Sequence, residues 1–527
     1  GAPRLMASNN WVVAGKHTSN GAPLLANDLH LETNRLPNIW YEVVLRTADR
    51  FGIGSTMAGI PGLIAGRTGR YAIGVTYSFL DAEDSWIERC RNGHYYRDDQ
   101  GWLPFEIRKE TILRKKKKPV TLTIYENPHG VLAGDPTGAE ERLLLATRWT
   151  GRDAGAESLN ALTALWHADT VEEAMDGIGD ATISFSWVLA DDQGNIGFQM
   201  SGKAPVRATG ASGFVPLPGW EPANDWKGMI AAEEMPRELN PKRGYIVTAN
   251  NDLNHLAAKP VINMPMAPYR ADRIEQLLSE KIRAGADLRP GDMNVLQGDL
   301  YSLEAEAFMS ILRPLLPDTE AGRILAAWDC RYNPESSGAY LFEQFYGALR
   351  AEVFGRNGFG GAAESYLARE TSVYADFYLN FNRVLLSERS VWFGDEERDD
   401  LYRRVAARSL TGLIRSWGET RKVTMRHILF GGTLPRFLGF DRGPITLAGG
   451  RATVNQGQIY RSAGRTTTFA PSLRFATDMQ EPVVYSNLAG GPSDRRFSRW
   501  YVSDLSRWLA NSYKRLTASA DGARLPF

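Results

Sequence analysis

A few polar residues of this sequence have the type and setting needed for chemistry. Ser8 opens the stretch SNNWVVAGKHTSNGAPLLANDLHLE, which also contains His30, and the pair Asn250-Asn251 ends the run GYIVTANN. A serine hydroxyl becomes a nucleophile when a base takes its proton, and an amide can donate to a developing oxyanion. Taken alone, each residue also has a structural interpretation. Ser8 could be a turn residue or helix cap, the Asn pair a turn, and His30 a half-buried strand residue bonded to a neighbour.

The elements that must position these residues begin with strands. Up to about Asp252, runs such as IWYEVVLRT, YAIGVTYS and ISFSWVLADDQGNIGFQMSG are rich in β-branched and aromatic residues and are separated by Gly, Pro, Asn and Asp. This pattern is typical of strands joined by tight turns. Gly194-Asn195, between two apolar runs, predicts a hairpin.

Helical periodicity follows from Tyr269 to about Ser416. RADRIEQLLSEKI, SLEAEAFMSILRPLL, GAYLFEQFYGALRAEVF and DDLYRRVAARSLTGLIRSW place apolar residues three and four apart, which predicts amphipathic helices. Strands and loops then return, and a short helix is expected near residues 504–512. Strand runs followed by helices indicate an α+β protein with helices packed on sheet faces.

The bulk composition narrows the classes of function. The 527 residues are 43% hydrophobic, and 61 Lys and Arg balance 61 Asp and Glu, which argues against a nucleic-acid partner. The basic run Lys115–Lys118 is expected to be a solvated hairpin turn. Cys90 and Cys330 could form one disulfide or remain two buried thiols. No apolar run of about 18 residues predicts a transmembrane helix, no signal peptide is recognised, and GAPRLMA is interpreted as the tail of a segment already removed.

The stretch from Ser8 to Glu32 is similar to the start of the β subunit in the penicillin acylase family, which includes penicillin, cephalosporin and acyl-homoserine-lactone acylases. The resemblance continues, in order and over nearly the whole chain, through IGVTYSFLDAEDSWIE, DDQGNIGFQMSGKAP, GYIVTANN, PYRADRI, GPITLAGGRATVNQ and GGPSDRRFSRWYVSDLSRWLANSY. It implies an N-terminal-nucleophile hydrolase, built as a four-layer αββα sandwich of two antiparallel sheets with an additional helical region.

The resemblance assigns the nucleophile to Ser8. In this family a precursor cleaves itself and exposes a serine as the new N-terminus of its large chain, which here implies cleavage between Ala7 and Ser8. Residues 1–7 would then be a residual spacer, a propeptide or the tail of an α subunit. An α-amine has a reference pKa of about 7.7–8.0, so part of it is neutral near pH 7 and can act as the base. Because the amine must be free, chain cleavage and catalysis are linked.

Further catalytic roles follow from the same resemblance. The oxyanion hole would consist of the Asn250 side chain and the backbone N–H of Tyr77. His30 stands where cephalosporin- and lactone-cleaving relatives carry a His, and it would orient the Ser8 amine. Arg273, in RADRI, matches an Arg that supports the site, and a solvated charge at the start of a helix is the other interpretation. Four residues on segments expected to line an apolar acyl pocket are Leu31, Met57, Phe79 and Trp187.

A structural Ca²⁺ site is also implied, whereas no organic cofactor is expected. Asp81, the backbone oxygen of Glu83 and Asp84 match the family's Ca²⁺-binding run, and oxygen ligands suit this ion. However, VINMPMA lacks the acid expected before PYRADRI, and a further ligand would come from the α subunit, so both outcomes stay open. Other departures, at residues 66–68 and 252–254, concern the rim of the pocket, so the substrate is less determined than the reaction.

These inferences predict that 8–527 is an acylase β subunit, with a mainly β core over 8–268, a helical region over 269–420 and a return to the core over 421–527. The expected reaction is hydrolysis of a carboxamide through an acyl-enzyme, releasing an apolar acyl group from a small amine. The expected partner is an α subunit from the same precursor, with no nucleic acid and no membrane, in the bacterial periplasm or outside the cell. An N-acyl-homoserine-lactone acylase that silences quorum signals is the alternative, favoured by His30. A more remote alternative is an acylase-like binding protein that never matures.

Overall fold

The computed structural model describes residues 7–152, 154–369, 377–462 and 465–518. The strands along these residues are β1 (Ala7–Val13), β2 (Leu24–Glu32), β3 (Arg35–Leu36), β4 (Trp40–Arg46), β5 (Phe51–Met57), β6 (Ala65–Thr68), β7 (Tyr71–Tyr77), β8 (Glu83–Arg91), β9 (His94–Arg97), β10 (Gly101–Pro104), β11 (Glu106–Arg114), β12 (Lys117–Asn127), β13 (Gly130–Ala133), β14 (Arg142–Trp149), β15 (Phe185–Asp191), β16 (Ile196–Met200), β17 (Leu217–Pro218), β18 (Arg237–Leu239), β19 (Tyr245–Thr248), β20 (Lys422–His427), β21 (Arg442–Thr446), β22 (Gln458–Ser462), β23 (Arg465–Asp478), β24 (Val483–Leu488) and β25 (Lys514–Thr517).

The helices over the same residues are α1 (Gly155–Leu165), α2 (Val171–Gly179), α3 (Tyr269–Arg283), α4 (Pro290–Gln297), α5 (Leu303–Leu312), α6 (Glu320–Ala326), α7 (Ser337–Arg350), α8 (Gly361–Arg369), α9 (Phe377–Leu385), α10 (Arg398–Ser409), α11 (Trp417–Thr420) and α12 (Leu505–Leu509). A π-helical turn, Ala351–Arg356, continues α7. The helix α10 ends before the predicted pattern does, because Thr411 and Gly412 are poor helix formers.

Two antiparallel sheets form the centre of the molecule. The first has the order β19-β1-β2-β23-β24-β25, with β22 also paired to β23, and the second has the order β18-β16-β15-β7-β6-β5-β4. The strands β1 and β2 of the first sheet pack on β7 of the second. The nucleophile candidate Ser8 therefore lies in the middle of a sheet, with a strand on either side of β1.

Strand alternation divides the side chains of β1 and β2 between two cores. Val12 and Leu25 point toward the second sheet and belong to the large core between the sheets. Trp11 and Ala26 point the other way and pack with residues of α3 and α4, such as Ile274. On the outer face of the second sheet, α2 covers β15 and β16 and α1 packs on α2. The order is helices, sheet, sheet, helices, so the predicted αββα sandwich is confirmed.

Three further groups of elements adjoin this sandwich. A sheet with the order β10-β9-β8-β14-β13-β12-β11, in which β17 pairs with β8 in parallel, carries many exposed residues. The helices α5, α6, α7, α9 and α10 share an apolar core of their own, which contains Phe342, Phe345 and Tyr402. A small sheet, β21-β20-β3, packs beside the C-terminal segment. The additional helical region is thus a separately packed body.

Several local predictions are confirmed. The strands β15 and β16 form the hairpin predicted at Gly194-Asn195, and the run Lys115–Lys118 lies exposed where β11 turns into β12. Both cysteines are buried free thiols, and burial raises the pKa of Cys90 to about 12 and that of Cys330 to about 11. Among the described helices, none combines the length and apolar character needed to span a membrane.

Candidate active site

Ser8 is fully buried near the start of β1. Its side chain shares a strand face with Asn10 and Val12, and this face looks toward β7, where the Asn10 amide lies against Gly74. The Ser8 backbone N–H donates to Asn250 Oδ1 at 2.8 Å, and the Ser8 hydroxyl donates to the Ala7 carbonyl at 2.5 Å. The hydroxyl oxygen is therefore next to the peptide group that precedes it. Residues 1–6, part of the predicted spacer, lie outside the described residues.

Asn250 connects Ser8 to the second sheet. Its Oδ1 accepts hydrogen bonds from the Ser8 N–H and from Arg270 Nη2 (2.9 Å), and its Nδ2 donates to the Tyr77 carbonyl at 2.8 Å. These partners fix the orientation of the amide, because one end faces two donors and the other faces an acceptor. Nδ2 has a second hydrogen available for a substrate oxygen. Asn250 has φ +67°, in the left-handed region that Asn tolerates better than most residues.

Asn251 has a different local role. Its Oδ1 accepts a hydrogen bond from the Ala249 N–H at 2.9 Å, which closes the turn after β19, and its side chain is half-buried. Of the Asn pair, Asn250 is the residue that contacts Ser8.

Arg270 is a site residue that the sequence analysis missed. It lies in the first turn of α3 and is 2% exposed. Its Nη1 donates to the Ser8 carbonyl (2.8 Å) and to Asn9 Oδ1 (2.7 Å), and its Nη2 donates to the Ala249 carbonyl (2.7 Å) as well as to Asn250. One guanidinium therefore holds the nucleophile strand and the Asn250 turn together.

Arg273, the residue selected from the sequence, lies one turn further along α3. Its Nε and Nη2 bind the two oxygens of Asp299 at 2.8 and 3.3 Å, and its guanidinium stacks over the Tyr301 ring. It supports the packing of α3 on the segment after α4. PYRADRI contains two arginines three residues apart. Which of them faces Ser8 depends on where α3 begins and how it packs against β1.

His30 is buried behind the nucleophile strand. Ala7 is its partner across the β1–β2 pair, and its ring lies with Asp28 and Asn9 on the face opposite the Ser8 side chain. Nε2 lies 2.6 Å from Asp28 Oδ2, and Nδ1 lies 2.9 Å from Gln456 Oε1. Burial lowers the pKa of the His30 imidazole, although the adjacent Asp28 carboxylate opposes this shift.

The connection from His30 to Ser8 runs through Asn9. The Asn9 Nδ2 donates to Asp28 Oδ2 at 3.0 Å, while its Oδ1 accepts the bond from Arg270. His30 and Asp28 can therefore act on Ser8 by positioning Asn9 and Arg270. Asp28 and Asn9 were not selected from the sequence, although both lie within the motif that begins at Ser8.

The candidate pocket residues form two groups. Phe79, at φ +51°, packs with Ala7 and Met266 and stacks on Tyr77 at 5.9 Å between ring centroids. A row of rings then continues from Tyr77 through Phe185 to Trp187. Leu31 and Trp187 are buried in the core between the sheets, and Met57 packs against this core half-buried. The surface next to Ala7 is thus aromatic and apolar, and burial raises the pKa of the Tyr77 phenol to about 12.

A polar cavity of about 650 Å³ adjoins the Asn250 turn. It is lined by Arg243, Ile246, Val247, Asn251, Asp252, Leu253, His255, Leu256, Pro265, Met266, Pro268, Tyr269, Asp272, Glu275, Leu379 and Arg383. Met266 joins the cavity to the nucleophile, because it touches Ala7 and its N–H donates to the Asn250 carbonyl at 2.8 Å. Burial raises the pKa of the Asp272 carboxyl and of the Glu275 carboxyl on its wall.

The acidic run that leads from β7 into β8 does not fit a divalent cation. Asp81 and Asp84 are buried, but the guanidinium of Arg207 lies between them, with Nε 2.8 Å from Asp84 Oδ2 and Nη2 3.3 Å from Asp81 Oδ1. Within the described residues, no group of three or more His, Cys, Asp or Glu side chains could hold a metal ion. A Ca²⁺ ion needs six to eight oxygen ligands, and here a resident cation occupies the carboxylates.

A family model described as penicillin amidase matches residues 2–524. The chain belongs to the penicillin amidase family. Among curated members, it is 25% identical over 573 residues to "Acyl-homoserine lactone acylase QuiP" of Pseudomonas aeruginosa, covering 96% of this chain and 66% of that protein. It is 29% identical over 514 residues to "Penicillin acylase 2 proenzyme" of Pseudomonas sp. strain SE83, covering 93% and 65%. The chain thus spans just under two thirds of the length of these penicillin amidase relatives.

Comparison with solved structures finds the same fold in a penicillin G acylase. The structure of a thermostable penicillin G acylase from Alcaligenes faecalis superposes with a TM-score of 0.74 at 17% identity, covering 98% of both chains. The family expected from the sequence is therefore confirmed, together with its fold.

Proposed function

We propose that this chain is the catalytic part of an N-terminal-nucleophile amidohydrolase that hydrolyses a carboxamide through an acyl-Ser8 ester. The observation that carries the proposal is the contact of Ser8 with Asn250, whose amide is oriented by the Tyr77 carbonyl and by Arg270. A buried serine beside an oriented amide donor is the arrangement that acyl transfer needs.

Maturation would begin with the Ala7–Ser8 peptide. The Ser8 hydroxyl is in contact with the Ala7 carbonyl, which supports attack of Oγ on the Ala7 carbonyl carbon. The C–N bond then breaks, the nitrogen takes the hydroxyl proton, and Ala7 is held as an ester on Ser8. Hydrolysis of this ester by water leaves an Ala7 carboxylate and a free Ser8 amine.

Catalysis on a substrate would repeat the attack with a base in place. The free Ser8 amine takes the Oγ proton as Oγ attacks the substrate carbonyl, and Asn250 Nδ2 with the Tyr77 N–H stabilises the oxyanion. Collapse releases the amine product, which receives the proton from the Ser8 ammonium. Water then attacks the acyl ester with the Ser8 amine again as the base, and the carboxylic acid leaves.

The substrate we propose has an apolar acyl group and a small amine. Phe79 and the ring row to Trp187 support the acyl assignment, and we assign the amine part to the polar cavity beside Asn251. An N-acyl-homoserine lactone is the second candidate, supported by relatives that carry this name and by the His at position 30.

A substrate panel separates the two candidates. The purified protein is assayed with phenylacetyl and glutaryl amides and with N-acyl-homoserine lactones of increasing chain length, and kcat/KM is compared. Higher kcat/KM on the linear amides supports the first proposal, whereas preference for the lactones supports the second. Ser8→Ala should be inactive on both sets, and activity in that variant would contradict the nucleophile assignment.

A partner chain and an export step belong to the same proposal. The chain spans 65% of a relative named as a proenzyme, which supports an α subunit cut from the same precursor. The exposed edge strand β4, with Tyr41 at 55% exposure, is a surface it could cover. A periplasmic location is proposed on the resemblance to exported family members alone.

A further inference from the structure

Arg207 reaches the acidic run from a segment far away in sequence. Arg207 lies in the segment after β16. Two backbone hydrogen bonds fix the residue before it: the Val206 N–H donates to the Gly228 carbonyl and the Lys227 N–H donates to the Val206 carbonyl, both at 2.9 Å. From there the side chain, 6% exposed, extends to the segment that links β7 to β8. The position of the guanidinium is therefore set by the backbone.

The guanidinium contacts both buried carboxylates, whereas Asp84 Oδ1 has no hydrogen-bond partner among the described residues. Besides its contacts with Asp84 Oδ2 and Asp81 Oδ1, Nη2 donates to the Asp81 carbonyl at 3.0 Å. The side chains of Asp81 and Asp84 are 6% and 2% exposed, so an ion pair here is shielded from solvent. Removing one partner of a buried pair leaves an uncompensated charge, which is strongly destabilising.

The Gly213 backbone also packs against the oxygens of Asp81, Glu83 and Asp84. Its N–H donates to Asp81 Oδ2 at 2.8 Å. A Cβ at this residue would lie 2.3 Å from Asp81 Oδ1, 2.2 Å from the Glu83 carbonyl oxygen and 2.9 Å from Asp84 Oδ1. The three oxygens expected to hold Ca²⁺ thus converge next to the Gly213 backbone, and the Arg207 guanidinium already contacts both of the carboxylates that supply two of them.

We propose that Arg207 is a built-in counter-cation that replaces a divalent metal at Asp81, Glu83 and Asp84, so that this protein neither binds nor needs Ca²⁺ there. The site matters for the nucleophile because this segment leads back to Tyr77. The Asp81 N–H donates to the Ile262 carbonyl and the Met264 N–H to the Phe79 carbonyl, both at 2.9 Å.

Trp226 provides a probe at the site, because its Nε1 donates to Asp84 Oδ2 at 2.5 Å. Tb³⁺ bound by these oxygens would be excited by energy transfer from the Trp226 indole. The full-length protein is titrated with Tb³⁺ under tryptophan excitation, and its Tm is measured in EDTA and in CaCl₂. The wild type should give no Tb³⁺ emission that Ca²⁺ displaces and the same Tm in both media.

Arg207→Ala should open the oxygens to metal. We expect a lower Tm in EDTA, a recovery of at least about 2 °C in CaCl₂, and Tb³⁺ emission that excess Ca²⁺ displaces. Arg148→Ala is the matched control, because Arg148 stacks on the Trp226 ring at 4.8 Å and pairs with Asp84 across the strands, yet its removal leaves Arg207 in place. It should not respond to metal, and neither should Arg207→Lys, which keeps a cation.

Two results would overturn the inference. One is a wild-type protein whose Tm falls in EDTA and recovers in CaCl₂, or that shows displaceable Tb³⁺ emission. The other is a folded Arg207→Ala protein that does not respond to Ca²⁺ or Tb³⁺. If Arg207→Ala does not fold, Arg207→Gln, which keeps hydrogen bonding and loses the charge, is measured in the same way and judged by the same criterion.

Discussion

Replacing Asn250 tests the part of the site that is best defined by contacts. Its Nδ2 is bonded to the Tyr77 carbonyl and has one hydrogen left for the oxyanion, while its Oδ1 faces Ser8 and Arg270. Asn250→Ala removes this donor, and loss of one oxyanion donor costs about 10²–10³ in kcat, or about 2.7–4 kcal/mol. KM should change little, because the oxyanion exists only in the transition state.

Asn250→Ala should also lower the free energy of unfolding, and this loss can be measured separately from the loss in kcat. The Tyr77 carbonyl, the Ser8 N–H and one Arg270 N–H lose their partner, at about 1–3 kcal/mol each when they stay buried. Alanine at φ +67° adds about 1–2 kcal/mol of backbone strain, which Asn250→Gly avoids. Asn250→Gly should therefore be more stable than Asn250→Ala by about 1 kcal/mol, with the same loss in kcat.

Steady-state kinetics on an acyl-p-nitroanilide and urea unfolding of the same samples give both quantities. Asn250→Asp is the near-isosteric control for the donor: it keeps the acceptor beside Arg270 and loses the N–H, so it should be at least as inactive. Asn251→Ala, which loses only the turn contact with Ala249, should be milder. Activity of Asn250→Asp within tenfold of wild type would refute the reasoning, as would an Asn251→Ala variant more damaged than Asn250→Ala.

The remaining predictions concern the charges around the nucleophile. Arg270→Met should lower both activity and stability, with about 1–3 kcal/mol of stability lost for each buried oxygen left without a donor. Arg273→Met should lower stability and leave kcat nearly unchanged. Kinetics and thermal unfolding of both variants test this difference. An equal loss of kcat in both variants would contradict the assignment to Arg270. The kcat/KM of the mature protein should rise with pH through the pKa of the Ser8 amine, because only the neutral amine is a base, and burial with the nearby Arg270 should place that pKa below about 7.7–8.0. In Arg270→Met the rise of kcat/KM should occur at higher pH. A rise at the same pH as in the wild type would show that the guanidinium does not act on the amine.

Much of the architecture could be predicted from periodicity and resemblance. The apolar, β-branched-rich runs WVVAG and PLLAND and the helical pattern of RADRIEQLLSEKI correspond to β1, β2 and α3, the elements that hold the site. The helices α1 and α2 were missed because they are short and lie within a strand-rich region, although they form one outer layer of the sandwich. The domain division remains a prediction.

The site was harder to predict where contacts join distant segments. Ser8 and Asn250 could be paired through motifs, and the structure brings them within hydrogen-bond distance. Arg270 and Arg273 are alike in type and three residues apart, so only packing shows which one faces Ser8. Arg207 is 123 residues from Asp84, and no spacing rule connects a loop arginine with an acidic run at that distance.

The central claim is that Ser8 acts only after its amine is freed from Ala7. The most direct measurement determines the N-terminus of the large chain by mass spectrometry and assays acyl-p-nitroanilide hydrolysis on the same sample, for the wild type and for Ser8→Ala. An amide nitrogen cannot accept a proton near neutral pH, and general-base help is worth roughly 10²–10⁴ in rate. We predict that activity follows the fraction of chains that begin at Ser8, and that Ser8→Ala stays uncleaved and inactive. Full activity in a sample whose Ala7–Ser8 bond is intact would contradict the account.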